Sequence, residues 1–238
     1  MWDNEDMVIT KTDFMRGMQC EKMLWLDRHK PSLKVIPEEV QERLDAGNEF
    51  GDAAMGMFGP YEEMTIYRPG THIPDKKAMV EKTKEHLGLG TPVICEAAFM
   101  DYNNYCALDI LRKTAKGYDM YEVKNTDEVH EQFIKDAAFQ YYIIRRNKLN
   151  IDKIYIVLHG KEGEELFHPV EVTEEVKKLY SWINENIWRL NSHQKEKEEP
   201  DIPVGEQCTH PYECWYYGYC HKTMPEKEKE SEEQLSLL

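Results

Sequence analysis

Two predicted strands between Cys106 and Thr126 constrain this chain more than any other segment. The first strand carries Asp109 inside an apolar run, and the second carries Glu122 and Lys124 two positions apart. Because alternate residues of a strand share a face, Glu122 and Lys124 point the same way, and antiparallel pairing can bring Asp109 beside Glu122. Two carboxylates and an ammonium at adjoining strand ends can hold a divalent cation and stabilise charge on a phosphate. The pattern therefore predicts a metal-dependent phosphodiesterase site.

The same pattern also has an ordinary interpretation. Glu-x-Lys on a strand commonly forms a solvated face or a surface ion pair. Asp109 fits that interpretation less well, since a carboxylate in an apolar strand is costly unless it is paired or bound to a metal.

Composition limits the class of protein. The chain has 238 residues, of which 41% are hydrophobic, which suffices for one well-buried domain and a small appendage. It contains no apolar run long enough to span a membrane and no signal peptide at its start. We expect a cytoplasmic protein with no membrane contact.

The net charge of −15 argues against a broad nucleic-acid-binding surface. The acidic residues are unevenly spread, however: residues 194–238 hold eleven of them against five lysines. The body of the chain is only mildly acidic, so binding of DNA in a local groove stays compatible with the composition.

Helical and strand periodicities alternate along the chain, which predicts a mixed α/β domain. The predicted helices cover 10–30, where Thr10 begins a capping box, and then 37–57, 74–87, 129–147 and 173–190. The predicted strands cover 64–67, 92–100, 105–113, 118–125, 153–159 and 165–172.

Three late cysteines, Cys208, Cys214 and Cys220, follow one another at equal six-residue steps. In a cytoplasmic protein such a set favours metal binding over disulfides. The fourth ligand of a tetrahedral site can be Cys20, His210 or His221, and the metal zinc or an iron–sulfur cluster. Cys95 and Cys106 lie in apolar strands and are expected in the core.

Taken in order, these residues resemble the RecB-type branch of the PD-(D/E)XK nucleases. The order is Cys20, the glycine-rich helix at 47–51, Leu-Asp-Ile at Asp109, Glu-Val-Lys at 122–124, and Gln140 before the late cysteines. The resemblance is closest to the iron–sulfur exonucleases associated with CRISPR adaptation and covers residues 7–221. It implies a restriction-endonuclease-like mixed sheet flanked by helices, with a cysteine-rich cluster-binding module at the C-terminal end.

The resemblance also implies roles for individual residues. Asp109 and Glu122, with the Val123 carbonyl, would hold Mg²⁺ or Mn²⁺, and Lys124 would be the catalytic lysine. Gln140 would orient the lysine or the phosphate. Two further residues are expected near the site, namely Glu96 and Tyr142. The four cysteines that would bind one [4Fe–4S] cluster, with Zn²⁺ as the alternative, are Cys20, Cys208, Cys214 and Cys220.

The chain departs from the family pattern at Gly51, which stands where many relatives place a metal-binding histidine. Glu49 on the same helix is a candidate substitute. The late cysteines are also spaced six and six, without a first close pair.

The expected organisation is a nuclease core at 7–192, a cysteine-rich module at 193–222 and a disordered acidic tail at 223–238. The tail ends in a segment that resembles the pentapeptide by which bacterial proteins bind the replication sliding clamp. Its residues of interest are Gln234, Leu235, Leu237 and Leu238.

The leading hypothesis is a metal-dependent DNA exonuclease acting on single-stranded ends. One alternative is a nuclease-fold binding module that has lost turnover. The other is a zinc-stapled interaction protein.

Overall fold

The computed structural model describes residues 8–161, 163, 165–193 and 196–222. Within these residues, one mixed sheet of six strands in sequential order is flanked by helices. The strands are β1 (Glu62–Glu63), β2 (Val93–Asp101), β3 (Asn104–Thr114), β4 (Gly117–Val123), β5 (Ile151–His159) and β6 (Phe167–Glu171). The helices are α1 (Lys11–Gln19), α2 (Glu21–His29), α3 (Glu38–Ala54), α4 (Lys76–Leu89), α5 (Glu131–Arg146), α6 (Thr173–Lys178), α7 (Tyr180–His193) and α8 (Tyr217–Cys220). The predicted mixed α/β class is confirmed.

Strands β2, β3 and β4 form an antiparallel meander. Strand β5 then runs parallel to β4, and β6 closes that edge in the antiparallel direction. A parallel pair needs a crossover, and α5 supplies it. Its buried residues pack with β2 to β5 in the main core. The crossover therefore places α5 directly over the strand that carries Glu122.

The first helix is anchored over the same face as α5. Thr10 and Asp13 form the predicted capping box, and Phe14 stacks on Phe139 of α5 with ring centroids 4.8 Å apart. Before the helix, Ile9 exchanges backbone hydrogen bonds with Asn103 and Tyr105 at the β2–β3 turn. The start of α1 is therefore fixed against both the sheet and α5.

Three sequence predictions of element boundaries are wrong. The single helix predicted at 10–30 is broken at Cys20, whose extended backbone (φ −159°, ψ 116°) ends α1 and begins α2. The helix predicted at 173–190 is broken at Leu179. The strand predicted at 64–67 is not formed: β1 covers Glu62–Glu63 instead, and Tyr67 pairs only with Pro74 in an isolated bridge.

The opposite face of the sheet is covered in two separate patches. The end of α3 and the turn after it pack on β2 to β5 through Ala54 and Met55. Helix α4 covers the other end of β2 and β3 through Met79 and Val80. Glu96 lines the cavity that lies between the two patches.

None of the described helices combines the length and the apolar character that crossing a bilayer requires.

Candidate active site and cysteine site

Asp109 and Glu122 face each other across β3 and β4. Ile110 pairs with Tyr121, so the antiparallel register puts Asp109 opposite Glu122 where the β3–β4 ladder ends. The Val123 N–H donates a 2.6 Å hydrogen bond to Asp109 Oδ2. Glu122 is 0% exposed, an unusual place for a carboxylate. The expected proximity of the two carboxylates is present.

Both oxygens of Glu122 are engaged. Its Oε1 accepts from Lys11 Nζ at 2.6 Å and from Lys124 Nζ at 2.9 Å. Its Oε2 accepts from Gln140 Nε2 at 2.5 Å. Two ammonium groups and an amide thus compensate the buried charge, which would otherwise cost several kcal/mol.

Lys124 lies just after the end of β4 and bridges two carboxylates. Besides Glu122, it donates to Asp136 Oδ2 at 2.6 Å, and its ammonium lies 5.3 Å from the centroid of the Phe133 ring. Asp136 and Gln140 are four residues apart on α5 and therefore share one face of the helix. That helix face supplies one acceptor for Lys124 and one donor for Glu122.

The charges of the cluster are set by these contacts. Burial opposes ionisation of Glu122, but Lys11 and Lys124 outweigh it and lower the pKa of this carboxyl. Burial also opposes the charge on Lys124, yet Glu122 and Asp136 raise its pKa. Lys124 is therefore held as an ammonium. For Asp109, burial and the neighbouring Glu122 raise the pKa.

Glu96 belongs to the same region. Cys95 pairs with Ile110 and Ala97 with Leu108, which puts Glu96 opposite Asp109. Its backbone has φ +52°, a region that non-glycine residues rarely adopt. Burial, followed by the charge of Asp109, raises the pKa of Glu96 to about 8. Glu96 therefore lies half-buried in the sheet, opposite Asp109.

This shifted pKa predicts how stability depends on pH. A carboxyl with a raised folded-state pKa keeps its proton while the unfolded chain loses it, so stability falls between pH 5 and 8. Glu96→Gln removes that titration. In buffer with a chelator, we compare the free energy of unfolding of Glu96→Gln with that of wild type. We expect the variant to gain about 1–3 kcal/mol relative to wild type as the pH rises from 5 to 8. Urea unfolding at both pH values measures it. A difference that stays constant with pH would contradict the raised pKa of Glu96 and the half-buried placement that causes it.

Asp109, Glu122 and Glu96 lie at neighbouring positions on three adjacent strands, and carboxylate oxygens are the donors that a hard divalent cation prefers. The buried Oε1 of Gln140 has no hydrogen-bond partner among the described residues. As the side chains stand, no three acidic, histidine or cysteine side chains in the described ranges are arranged to hold a metal ion. Glu122 is where rearrangement must occur, since both its oxygens are engaged.

The C-terminal end of α3 lies close to Glu96. Gly51 and the exposed Glu49 are on α3. A cavity of about 280 Å³ is lined by Glu96 and by Asp52, but Glu49 is not part of its lining. Asp52, next to Gly51, therefore shares a cavity with Glu96, whereas Glu49 does not.

Two other predicted residues have different environments. The Val123 N–H is engaged with Asp109, which fixes the backbone that carries the Val123 carbonyl. Tyr142 is buried, and its hydroxyl donates to Asn184 Oδ1 on α7 at 2.7 Å. The structure therefore places Tyr142 against α7 and not among the carboxylates.

Sequence reasoning missed Lys11 and Asp136. Lys11 lies on α1, 111 positions before Glu122, and Asp136 lies on α5, 14 positions after it. A pattern of strand residues cannot indicate either of them. One signal was available for Asp136: it precedes Gln140 by one helical turn. Lys11 carried no such signal.

The four predicted cluster cysteines line one small cavity of about 20 Å³. Cys20 lies between α1 and α2, whereas the other three cysteines come from the segment after α7. These three are Cys208, Cys214 and Cys220. Thiolates are the ligands that zinc and iron–sulfur clusters take, although the four side chains as they stand are not arranged to hold a metal ion. A cavity of this size holds about one water-sized particle, so a four-iron cluster requires the side chains to turn outward. Burial raises the pKa of the Cys214 thiol to about 11, so loading a metal there must release a proton.

Neither histidine candidate lines this cavity. The His221 ring stacks on Tyr217 at 3.9 Å, and the His210 Nδ1 lies 3.1 Å from the Thr209 hydroxyl. Of the three candidates for the fourth ligand, Cys20 is therefore the one that lines the cavity with the late cysteines. Cys95 and Cys106 are buried in the sheet, as expected.

The cysteine segment is attached to α1 and α2 by polar contacts as well as by packing. Gln19 donates to the carbonyls of Gln207 and Tyr212, each at 2.7 Å. The Tyr216 hydroxyl donates to Asp27 at 2.9 Å. These contacts join the two ends of the described chain around the cavity.

The predicted sliding-clamp segment at Gln234 to Leu238 lies outside the described residues. So does the rest of the predicted acidic tail at 223–238. Both stay predictions.

A scan against protein-family models and a search of curated proteins find no match for this chain.

Proposed function

We propose that the protein is a divalent-cation-dependent DNA nuclease of the PD-(D/E)XK type, using Mg²⁺ or Mn²⁺. One observation carries the proposal: Asp109, Glu122 and Lys124 meet at the ends of adjacent strands. A buried carboxylate pair with a protonated lysine has little structural purpose on its own, because an apolar substitute would fill the same space at lower cost.

Each residue has a chemical role in this proposal. Asp109 and Glu122, with the Val123 carbonyl, would hold the cation, which when bound would neutralise phosphate charge and activate water. Gln140 holds the Glu122 carboxylate in one orientation. Lys124 keeps its proton between Glu122 and Asp136, so it acts as a donor to developing negative charge and not as a base.

The proposed substrate is a single-stranded DNA end. Glu122 is fully buried, and the side chains of Lys124 and Lys11 are only 18% and 26% exposed. A recessed site of this kind admits a thin, flexible strand more readily than a duplex. The net charge of −15 also disfavours a broad duplex-binding surface.

A second candidate is a nuclease-fold binding module without turnover. The observation that favours it is Gly51, which removes the histidine that the family resemblance would add to the cation site. This candidate predicts binding of nucleic acid with no cleavage under any divalent cation.

We also propose that Cys20, Cys208, Cys214 and Cys220 bind one [4Fe–4S] cluster, with Zn²⁺ as the alternative. The support is the cavity that the four cysteines share, which they line together with mainly apolar side chains. The sliding-clamp contact through Gln234, Leu235, Leu237 and Leu238 rests on the sequence pattern alone.

The proposed activity is tested with end-labelled DNA. Single-stranded, blunt duplex and circular substrates are incubated with the protein and Mg²⁺, Mn²⁺ or EDTA. We expect cation-dependent shortening of linear single strands, little cutting of circles and none in EDTA. Equal cutting of circles and linear strands would exclude an exonuclease, and binding without cleavage would favour the binding module.

A further inference from the structure

The cluster around Glu122 consists of Lys11, Lys124, Gln140 and Asp136. Lys11 is the member that no sequence signal indicated. It is the first residue of α1, and its Nζ lies 2.6 Å from Glu122 Oε1. Lys124 binds the same oxygen. A single carboxylate oxygen thus receives two ammonium groups, although one would suffice to neutralise its charge.

The two lysines differ in what else they bind. Lys124 has a second carboxylate, Asp136, at 2.6 Å. Glu122 is the only carboxylate with which Lys11 forms a salt bridge among the described residues. If a cation takes a Glu122 oxygen, Lys124 keeps a partner, whereas Lys11 loses its own. Lys11 is therefore the ammonium that a cation would displace.

Displacement of Lys11 needs only its side chain to move. Its backbone is fixed by the capping box of Thr10 and Asp13, and by the hydrogen bonds of Ile9 with Asn103 and Tyr105. The side chain is 26% exposed, so its flexible four-carbon stem can swing toward solvent while the helix stays in place.

We propose that Lys11 is an exchangeable counter-ion of the site: it yields Glu122 to the divalent cation and then binds a phosphate oxygen of the incoming strand. This inference rests on the proposed nuclease function. It adds a substrate-binding residue that couples loading of the cation to capture of the substrate. A purely structural ion pair would instead make Lys11 necessary for the shape of the cation site.

The two roles predict opposite effects on cation affinity. Lys11→Met removes a positive charge that competes with the cation, so Mn²⁺ should bind about tenfold more tightly. Cleavage at saturating Mn²⁺ should fall by about tenfold or more, because the released ammonium no longer reaches the phosphate. If Lys11 only shapes the site, both affinity and cleavage should fall.

The experiment measures free Mn²⁺ by electron paramagnetic resonance during titration of the full-length protein, followed by cleavage of single-stranded DNA. Lys11→Arg keeps the charge and should bind Mn²⁺ within about threefold of wild type. Lys135→Met is the matched control, because Lys135 is about as exposed as Lys11 but pairs with Glu131 at 2.7 Å and has no contact with Glu122 among the described residues. It should leave both quantities unchanged.

Unchanged or weaker Mn²⁺ binding in folded Lys11→Met would overturn the inference. If Lys11→Met does not fold, Lys11→Gln takes its place in the experiment. If neither variant folds, Lys11 has a structural role and the inference is overturned. A wild-type protein that neither binds Mn²⁺ nor cleaves DNA would overturn the proposed function itself. A wild type that does both, with no tightening in Lys11→Met, would overturn only the role of Lys11.

Discussion

Lys124→Met is expected to slow cleavage of single-stranded DNA by about a hundred- to a thousandfold. The methionine stem fills the same space, but the donor that lies between Glu122 and Asp136 is lost. Since Lys124 is not one of the proposed cation ligands, Mn²⁺ should still bind. Loss of rate with retained cation binding therefore separates the chemical step from assembly of the site.

The variant also leaves Asp136 without its 2.6 Å partner, which should lower the free energy of unfolding by about 1–3 kcal/mol. Cleavage is therefore compared at a temperature where circular dichroism shows the variant to be folded. Lys135→Met, one position from Asp136 on the same helix, controls for loss of a lysine charge. A rate within threefold of wild type for Lys124→Met would remove Lys124 from the mechanism.

Cys208→Ser is expected to abolish binding of the cluster or metal and to destabilise the protein by about 3 kcal/mol or more. Cys208, Cys214 and Cys220 come from one end of the described chain and Cys20 from the other, so the proposed metal would cross-link the two ends. Without it, the segment after α7 depends on contacts such as that of Tyr216 with Asp27.

Metal content of anaerobically purified protein measures this effect, and visible absorbance distinguishes an iron–sulfur cluster from zinc. Cys106→Ala is the matched control: Cys106 is buried in the sheet and outside the four-cysteine cavity. It should lose stability through packing but keep its metal. Full metal content in Cys208→Ser would contradict the four-cysteine assignment.

The strand pair that carries the candidate site could be predicted because its signals are local. The apolar run around Asp109, the short turn and the period-two pattern of Glu122 and Lys124 all lie within 21 residues. Antiparallel pairing then left few registers that keep apolar side chains on the covered faces. The resulting juxtaposition of Asp109 and Glu122 is present in the structure.

The helical contribution to the site could not be predicted in the same way. Lys11 reaches Glu122 because α1 packs on α5 through Phe14 and Phe139, a contact between segments that are distant in sequence. The twisted backbone at Glu96 is equally invisible, since a glutamate with positive φ gives no sequence signal. The break at Cys20 also had none, because both flanking segments are good helix formers.

The cysteine site could be predicted only in part. The spacing of Cys208, Cys214 and Cys220 predicted a shared site, but left three candidates for the fourth side chain. Only the packing of α1 and α2 against the late segment selects Cys20 over His210 and His221.

A single time course tests the central claim most directly. Purified wild-type protein and Asp109→Ala are incubated with end-labelled single-stranded DNA in Mg²⁺, with a parallel EDTA reaction. The proposed site predicts cleavage by wild type in Mg²⁺ only, and a loss of about a thousandfold or more in Asp109→Ala, since one cation ligand is gone. Cleavage by Asp109→Ala at the wild-type rate, or by either protein in EDTA, would contradict it.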